Sequence, residues 1–186
     1  MKNEIKKYFR LWLFMTVNSF QISLANRFAA LMFLLGKALR FGFFLVFLTV
    51  VLGQTKTLGS YTSTQVLIFF LTFNVIDTGV QLVFREVYRF RPLVVSGDFD
   101  LILEKPIHPL FRVMAGGADS LDLIMLIPYV ALLLMVSARG EYLTLTSIVL
   151  FSILLINGFI IATAFHVLVI AVTILTSEID QAVMIY

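Results

Sequence analysis

Cysteine is absent from this chain of 186 residues, which excludes disulfides and thiolate metal sites. Histidine is nearly absent: His108 and His166 stand alone, with no HExxH or other ligand spacing, so no metal site is expected. A phosphate-binding loop is missing too, because Gly36-Lys37-Ala38 lacks the upstream glycine and the hydroxyl residue and sits in an apolar run. No Ser-His-Asp triad or paired-carboxylate group assembles from the loop residues. The chain is therefore not expected to be an enzyme by itself or to bind a cofactor.

Charge is scarce as well. Charged residues make up 13% of the chain, well below the ~25% of soluble domains. What is present is apolar: 60% of the residues are hydrophobic, nineteen of them Phe, and mean hydropathy is +1.00. No segment alternates with a period of two over ~10 residues as a membrane barrel requires. The expected fold is all-α, a polytopic helical membrane protein. The formal net charge of +3 comes from basic residues clustered beside apolar runs, which suits anionic lipid headgroups; nucleic acid is not an expected partner.

Residues 1–27 begin with Lys2, Lys6, Lys7 and Arg10 and continue into LWLFMTV. A cleavable signal peptide is the alternative, but the small residues at Ser23 to Ala25 lead straight into Arg27 and another apolar run. The better reading is an interfacial helix, with Ile5, Phe9 and Trp12 toward lipid and the lysines toward headgroups. Residues 28–186 form the transmembrane domain, with spans at about 31–52, 64–84, 121–137 and 143–176. GQTKTLGSYTS and ARGEY are the short turns. Asp119, Ser120 and Asp122 read as the start of the third helix, which Pro128 is expected to kink. The last run is too long for one perpendicular crossing and short for two, so one bent or protruding span is expected, with Asn157-Gly158 as the place for a break. Gly158 and Ala162 form a small-xxx-small face for helix packing.

Orientation follows from the basic residues, because short loops rich in Lys and Arg stay in the cytoplasm. Ten lie on one side: Lys2, Lys6, Lys7, Arg10 and Arg27 before the first span, and Arg85, Arg89, Arg91, Lys105 and Arg112 between the second and third. Two, Lys56 and Arg139, lie on the other. The N-terminus and residues 85–118 are thus expected in the cytoplasm. Within the spans, Lys37 and Arg40 fall at the same depth as Asp77, which suggests an intramembrane ion pair of Asp77 with one of them. Snorkelling of both basic groups to the headgroups, or a transport role for Asp77 as proton carrier, are the alternatives.

The segment between the second and third spans is the one long polar-studded stretch. Pro92, Gly97, Pro106 and Pro109 divide it, leaving a short helix at DFDLILEK, with Asp98 or Asp100 as N-cap and an end before Pro106. It sets Phe99, Ile102 and Leu103 beside Asp100, Glu104 and Lys105, a mixture suited to a groove on a soluble partner or to headgroups. RPLVVSGDFDLILEKPIHPLFRV resembles the loop between spans two and three of the type-2 ATP-binding-cassette (ABC) transporter permeases, in particular a group of small bacterial ones. There an Arg, a Gly, an acidic-apolar stretch ending in Leu, a basic residue and a Pro recur in that order. The resemblance implies a coupling element at Asp98 to Lys105, an ABC ATP-binding subunit as partner carrying ATP and Mg, and a second permease subunit. It also implies an export or lipid-translocation role in the bacterial inner membrane. The family usually has six spans, so four suggest a chain truncated after the fourth; a non-transporting four-span scaffold or regulatory subunit is the alternative function.

Overall fold

The computed structural model describes residues 2–55, 57–140 and 142–184. Lys56, Glu141 and the side chains of Glu178 and Asp180 in the C-terminal stretch lie outside what is described. The molecule is all-helical apart from a minimal hairpin. Helix α1 (Lys2–Ala25) and α2 (Arg27–Thr55) are separated by Asn26 alone. The Asn26 side-chain oxygen accepts the Ala29 N–H at 3.3 Å, capping a first-turn amide of α2. Strands β1 (Thr57–Leu58) and β2 (Tyr61–Thr62) pair antiparallel around Gly59, whose φ of 63° favours glycine. Helix α3 (Ser63–Phe84) then starts on a capping box, in which Thr62 and Gln65 each satisfy the other's backbone N–H.

The connection back to the membrane holds four short elements. A 3-10 turn (Arg85–Arg89) precedes α4 (Phe90–Ser96), α5 (Asp98–Leu103) and α6 (Pro109–Met114). Two long helices follow, α7 (Ser120–Arg139) and α8 (Leu145–Met184). Four helices among the described residues are long and apolar enough to cross a membrane, matching the expected number: 27–54, 63–96, 120–139 and 145–176. One end of the bundle carries α1 and the 85–119 connection and is called the loop end below.

Three local expectations need correction. Pro92 does not stop the chain; it sits at the third position of α4, where its missing N–H costs no intrahelical bond. The disruption falls one turn earlier, in the 3-10 segment. Neither Asp98 nor Asp100 caps α5: Gly97 is the N-cap, at φ 81°, and the helix ends at Leu103, two residues short of the expected end. Nor does Asn157-Gly158 break α8, which runs unbroken for 40 residues, about 60 Å at ~1.5 Å per residue. That is twice a ~30 Å hydrocarbon core, so a single protruding helix is the outcome.

Helices α3 and α7 make the central pair. Leu71 and Val75 pack on Met125, Tyr129 and Leu133, with Phe41 from α2 and Phe151 from α8 closing the sides. Glycine sets the closeness of α3 to α8. A Cβ on Gly158 would stand 2.6 Å from Ile76, and one on Gly79 would stand 2.8 Å from the Phe159 ring. Gly158 therefore packs within the chain, on α3; Ala162, one turn on, is half-buried and its carbonyl bonds His166. At the loop end a second core joins Val87, Phe90, Val113 and Met114 to Ile170 on the protruding part of α8. The most apolar stretches of α2 and α8 carry no buried residue, so these two helices form the outer faces.

Candidate functional site

The loop end gathers most of the ionic contacts. Asp122, in the first turn of α7 and 0% exposed, pairs with Lys37 of α2 and accepts a contact of 3.3 Å from Arg85 Nη1. Arg85 Nε also reaches Asp119 at 3.5 Å, while Gln81 accepts from Lys37 at 3.2 Å and from Arg85 at 3.4 Å. Both cations lie over the Phe33 ring, at 5.0 Å for Lys37 and 4.7 Å for Arg85. Two cations and two carboxylates cancel, which is the condition under which charge is tolerated away from water. Asp119 serves twice, since it also caps α7 by accepting the Leu121 and Asp122 N–H groups. Asp77 was expected to pair with Lys37 or with Arg40. The fold gives Lys37 to Asp122 and leaves Asp77 to Arg40, at 3.5 Å on the outside of the bundle, where Arg40 is 67% exposed.

In the sequence, Asp119 and Asp122 read only as the start of a helix and Arg85 only as a loop charge. The available signal was two carboxylates three residues apart in a first turn. They share a face with an arginine that ends the preceding span.

The short helix α5 is also rearranged relative to expectation. Phe99 is half-buried and meets Phe90 edge-on at 5.1 Å, and Ile102 is buried. These two, three residues apart, anchor α5 and are not free to dock a partner. Leu101 and Leu103 are 58% and 51% exposed, beside exposed Asp98, Asp100, Glu104 and Lys105. Leu101 was missed. The Asp98 carboxylate is occupied locally by the Ser96 hydroxyl at 2.7 Å.

Helix α1 is bound to this same connection. Lys7 donates to the Pro106 carbonyl at 3.0 Å, the Tyr8 hydroxyl accepts the His108 N–H at 3.1 Å, and Tyr8 packs edge-on against Phe111. Further along, Thr16 accepts the Ala118 N–H at 3.0 Å. Gly117, at φ 107°, lies so close that a Cβ would stand 2.6 Å from the Met15 carbonyl carbon. Only glycine fits that crossing. His166 is a packing residue: its Nδ1 bonds the Ala162 carbonyl at 2.8 Å and its Nε2 lies 3.2 Å from the Tyr88 hydroxyl.

The folded polar connection between the second and third spans stands where the loop motif placed it. The sequence model of the ABC-2 family transporter proteins matches residues 38–186, four-fifths of the chain. The chain belongs to the ABC-2 transporter family. No curated protein and no solved structure matches it. As an ABC-2 family member it is a multi-pass membrane domain of the kind that works with an ATP-binding subunit. In this ABC-2 chain the matched region takes in Arg40, Asp77, Arg85, Asp119, Asp122 and the whole of α5, while Lys37 and α1 precede it.

Proposed function

We propose that this chain is the membrane-spanning permease subunit of an ATP-driven exporter, moving substrate by alternating access while a separate subunit hydrolyses ATP. ATP and Mg bind in that partner; this chain supplies no catalytic group. It acts with a second permease subunit in the bacterial inner membrane, with the N-terminus and the loop end in the cytoplasm. The observation that carries the reading is the construction of α5. Exposed Leu101 and Leu103 stand beside Glu104 and Lys105 on a helix that Phe99 packs onto the loop-end core and whose Ile102 is buried. A push on α5 therefore passes through Phe90 to Ile170 of α8, and through the 3-10 turn to Arg85.

Support for a second permease subunit comes from the outer faces. Arg40 and Asp77 form an ion pair on the surface of the bundle at a depth where lipid is a poor neighbour for charge. An incoming helix would cover it. The test of the coupling role is co-purification with a co-expressed ABC ATP-binding protein from the same genome. The wild type recruits the ATPase, and Leu101→Ser with Leu103→Ser lowers recovery by about tenfold or more, the effect of losing about 1.4 kcal/mol or more of binding energy. Unaltered recruitment by the double variant sinks the role of α5.

A further inference from the structure

We infer that the loop end holds a binding site for the phosphate group of an anionic membrane lipid, in the cleft between α1 and the start of the connection. The cleft, about 210 Å³, is lined on the α1 side by Asn18, Ser19 and Ser23 and on the other by Glu86, Arg89 and Arg112. Its floor is Gly116-Gly117. A Cβ on Gly116 would stand 2.6 Å from the Glu86 side chain, so glycine there lets Glu86 lie against the cleft floor.

Charge selects the ligand. Arg85 also borders the cleft but is held by Asp119 and Asp122. The remaining groups are Glu86, at 3.5 Å from Arg89 and 3.4 Å from Arg112, which leaves one positive charge over. One carboxylate shared by two guanidiniums leaves donors on both without a charged partner in the cleft, whereas Arg85 has two carboxylates. A phosphodiester carries one negative charge and accepts the forked donors of Arg in pairs. Among the described residues Asn18, Ser19 and Ser23 make no side-chain hydrogen bond, and their amide and hydroxyl groups supply further donors.

Location selects the source of the phosphate. Phe9, Leu13 and Val17 recur at every fourth position of α1 and are exposed, an apolar stripe that a bilayer surface covers. The adjoining face of α1, with Tyr8, Met15, Thr16 and Ser19, meets the connection and the cleft. A headgroup phosphate in the cleft would thus keep its acyl chains beside that stripe. The inference does not depend on the proposed transport role.

The test is native mass spectrometry of the purified full chain mixed with phosphatidylglycerol or phosphatidylcholine. The wild type retains phosphatidylglycerol in preference. Arg89→Gln with Arg112→Gln lowers that preference about tenfold or more, at ~1 kcal/mol for each basic group near a membrane surface. Glu86→Gln, which frees both arginines, raises it, whereas a purely structural role for Glu86 predicts a fall. Arg139→Gln leaves it unchanged. If the double variant does not fold, exposed Arg89→Gln alone carries the test, with about a fivefold drop. Equal retention of the two lipids, or an equal loss in Arg139→Gln, overturns the site. Displacement of the lipid by glycerol 3-phosphate at matching concentration overturns the lipid as the source of the phosphate.

Discussion

Asp122 and Asp77 are both carboxylates on membrane-spanning helices that pair with cations of α2 only three residues apart, yet their surroundings are opposite. Asp122 is shut away from solvent, meets two cations and sits in a group of zero net charge with Gln81 filling the gaps. Asp77 is 31% exposed and meets one cation at 3.5 Å on the outer face. The difference teaches that depth along a span does not fix the role of a charge. What decides is whether a second and third helix close over it. The inner group ties α2, α3 and α7 together at the loop end; the outer pair stays open to lipid or to another subunit.

The largest expected effect comes from breaking the inner group. Asp122→Asn leaves Lys37 and Arg85 under-compensated in a dehydrated site and costs about 3–5 kcal/mol, read as loss of folded protein in a detergent unfolding titration. Combining it with Lys37→Gln restores part of that loss if the two residues act as a pair. A double variant no more stable than Asp122→Asn would contradict the pairing. Next comes the crossing that holds α1 over the start of α7. Gly117→Ala forces a left-handed backbone on a residue whose Cβ has no room beside Met15, costing about 1–3 kcal/mol from the backbone alone. Faster proteolysis within α1 is the readout.

A smaller effect is expected at the outer pair. Asp77→Asn lowers stability of the isolated chain by about 1 kcal/mol or less, because long, exposed Arg40 can carry its charge toward the headgroups. A loss equal to that of Asp122→Asn would erase the contrast between the two sites. The smallest effect has the opposite sign. The Ser120 hydroxyl, between the two carboxylates of α7, is buried with no hydrogen-bond partner among the described residues. Ser120→Ala is expected to be neutral or to stabilise by up to about 1 kcal/mol in the same titration.

Much of the architecture was legible before the structure. Four apolar runs, a basic N-terminal segment and one polar connection are properties of composition along the chain, and hydrophobic length alone identifies helices that must satisfy their backbone in lipid. The position of α5 was legible too, because Gly97 and Pro106 bracket it. Its inward and outward faces were not. Phe99, Leu101, Ile102 and Leu103 are all apolar, and only packing against Phe90 settles that Phe99 and Ile102 turn in while Leu101 and Leu103 turn out. The unbroken course of α8 was equally hidden, since Gly158 weakens a helix in isolation but here admits Ile76.

The sequence by itself determined that this is a helical membrane protein with four apolar spans, which follows from transfer energies and local backbone preferences, and it carried a loop that resembles those of the ABC-2 kind. Only the tertiary structure decided which charge meets which. Lys37 and Arg40 are one turn apart on the same helix, and no local rule distinguishes their partners. The approach of the first turn of α7 to α2 and to the end of α3 buries Asp122 between Lys37 and Arg85. Arg40 and Asp77 meet on the outer face, where Arg40 is exposed and Asp77 half-buried.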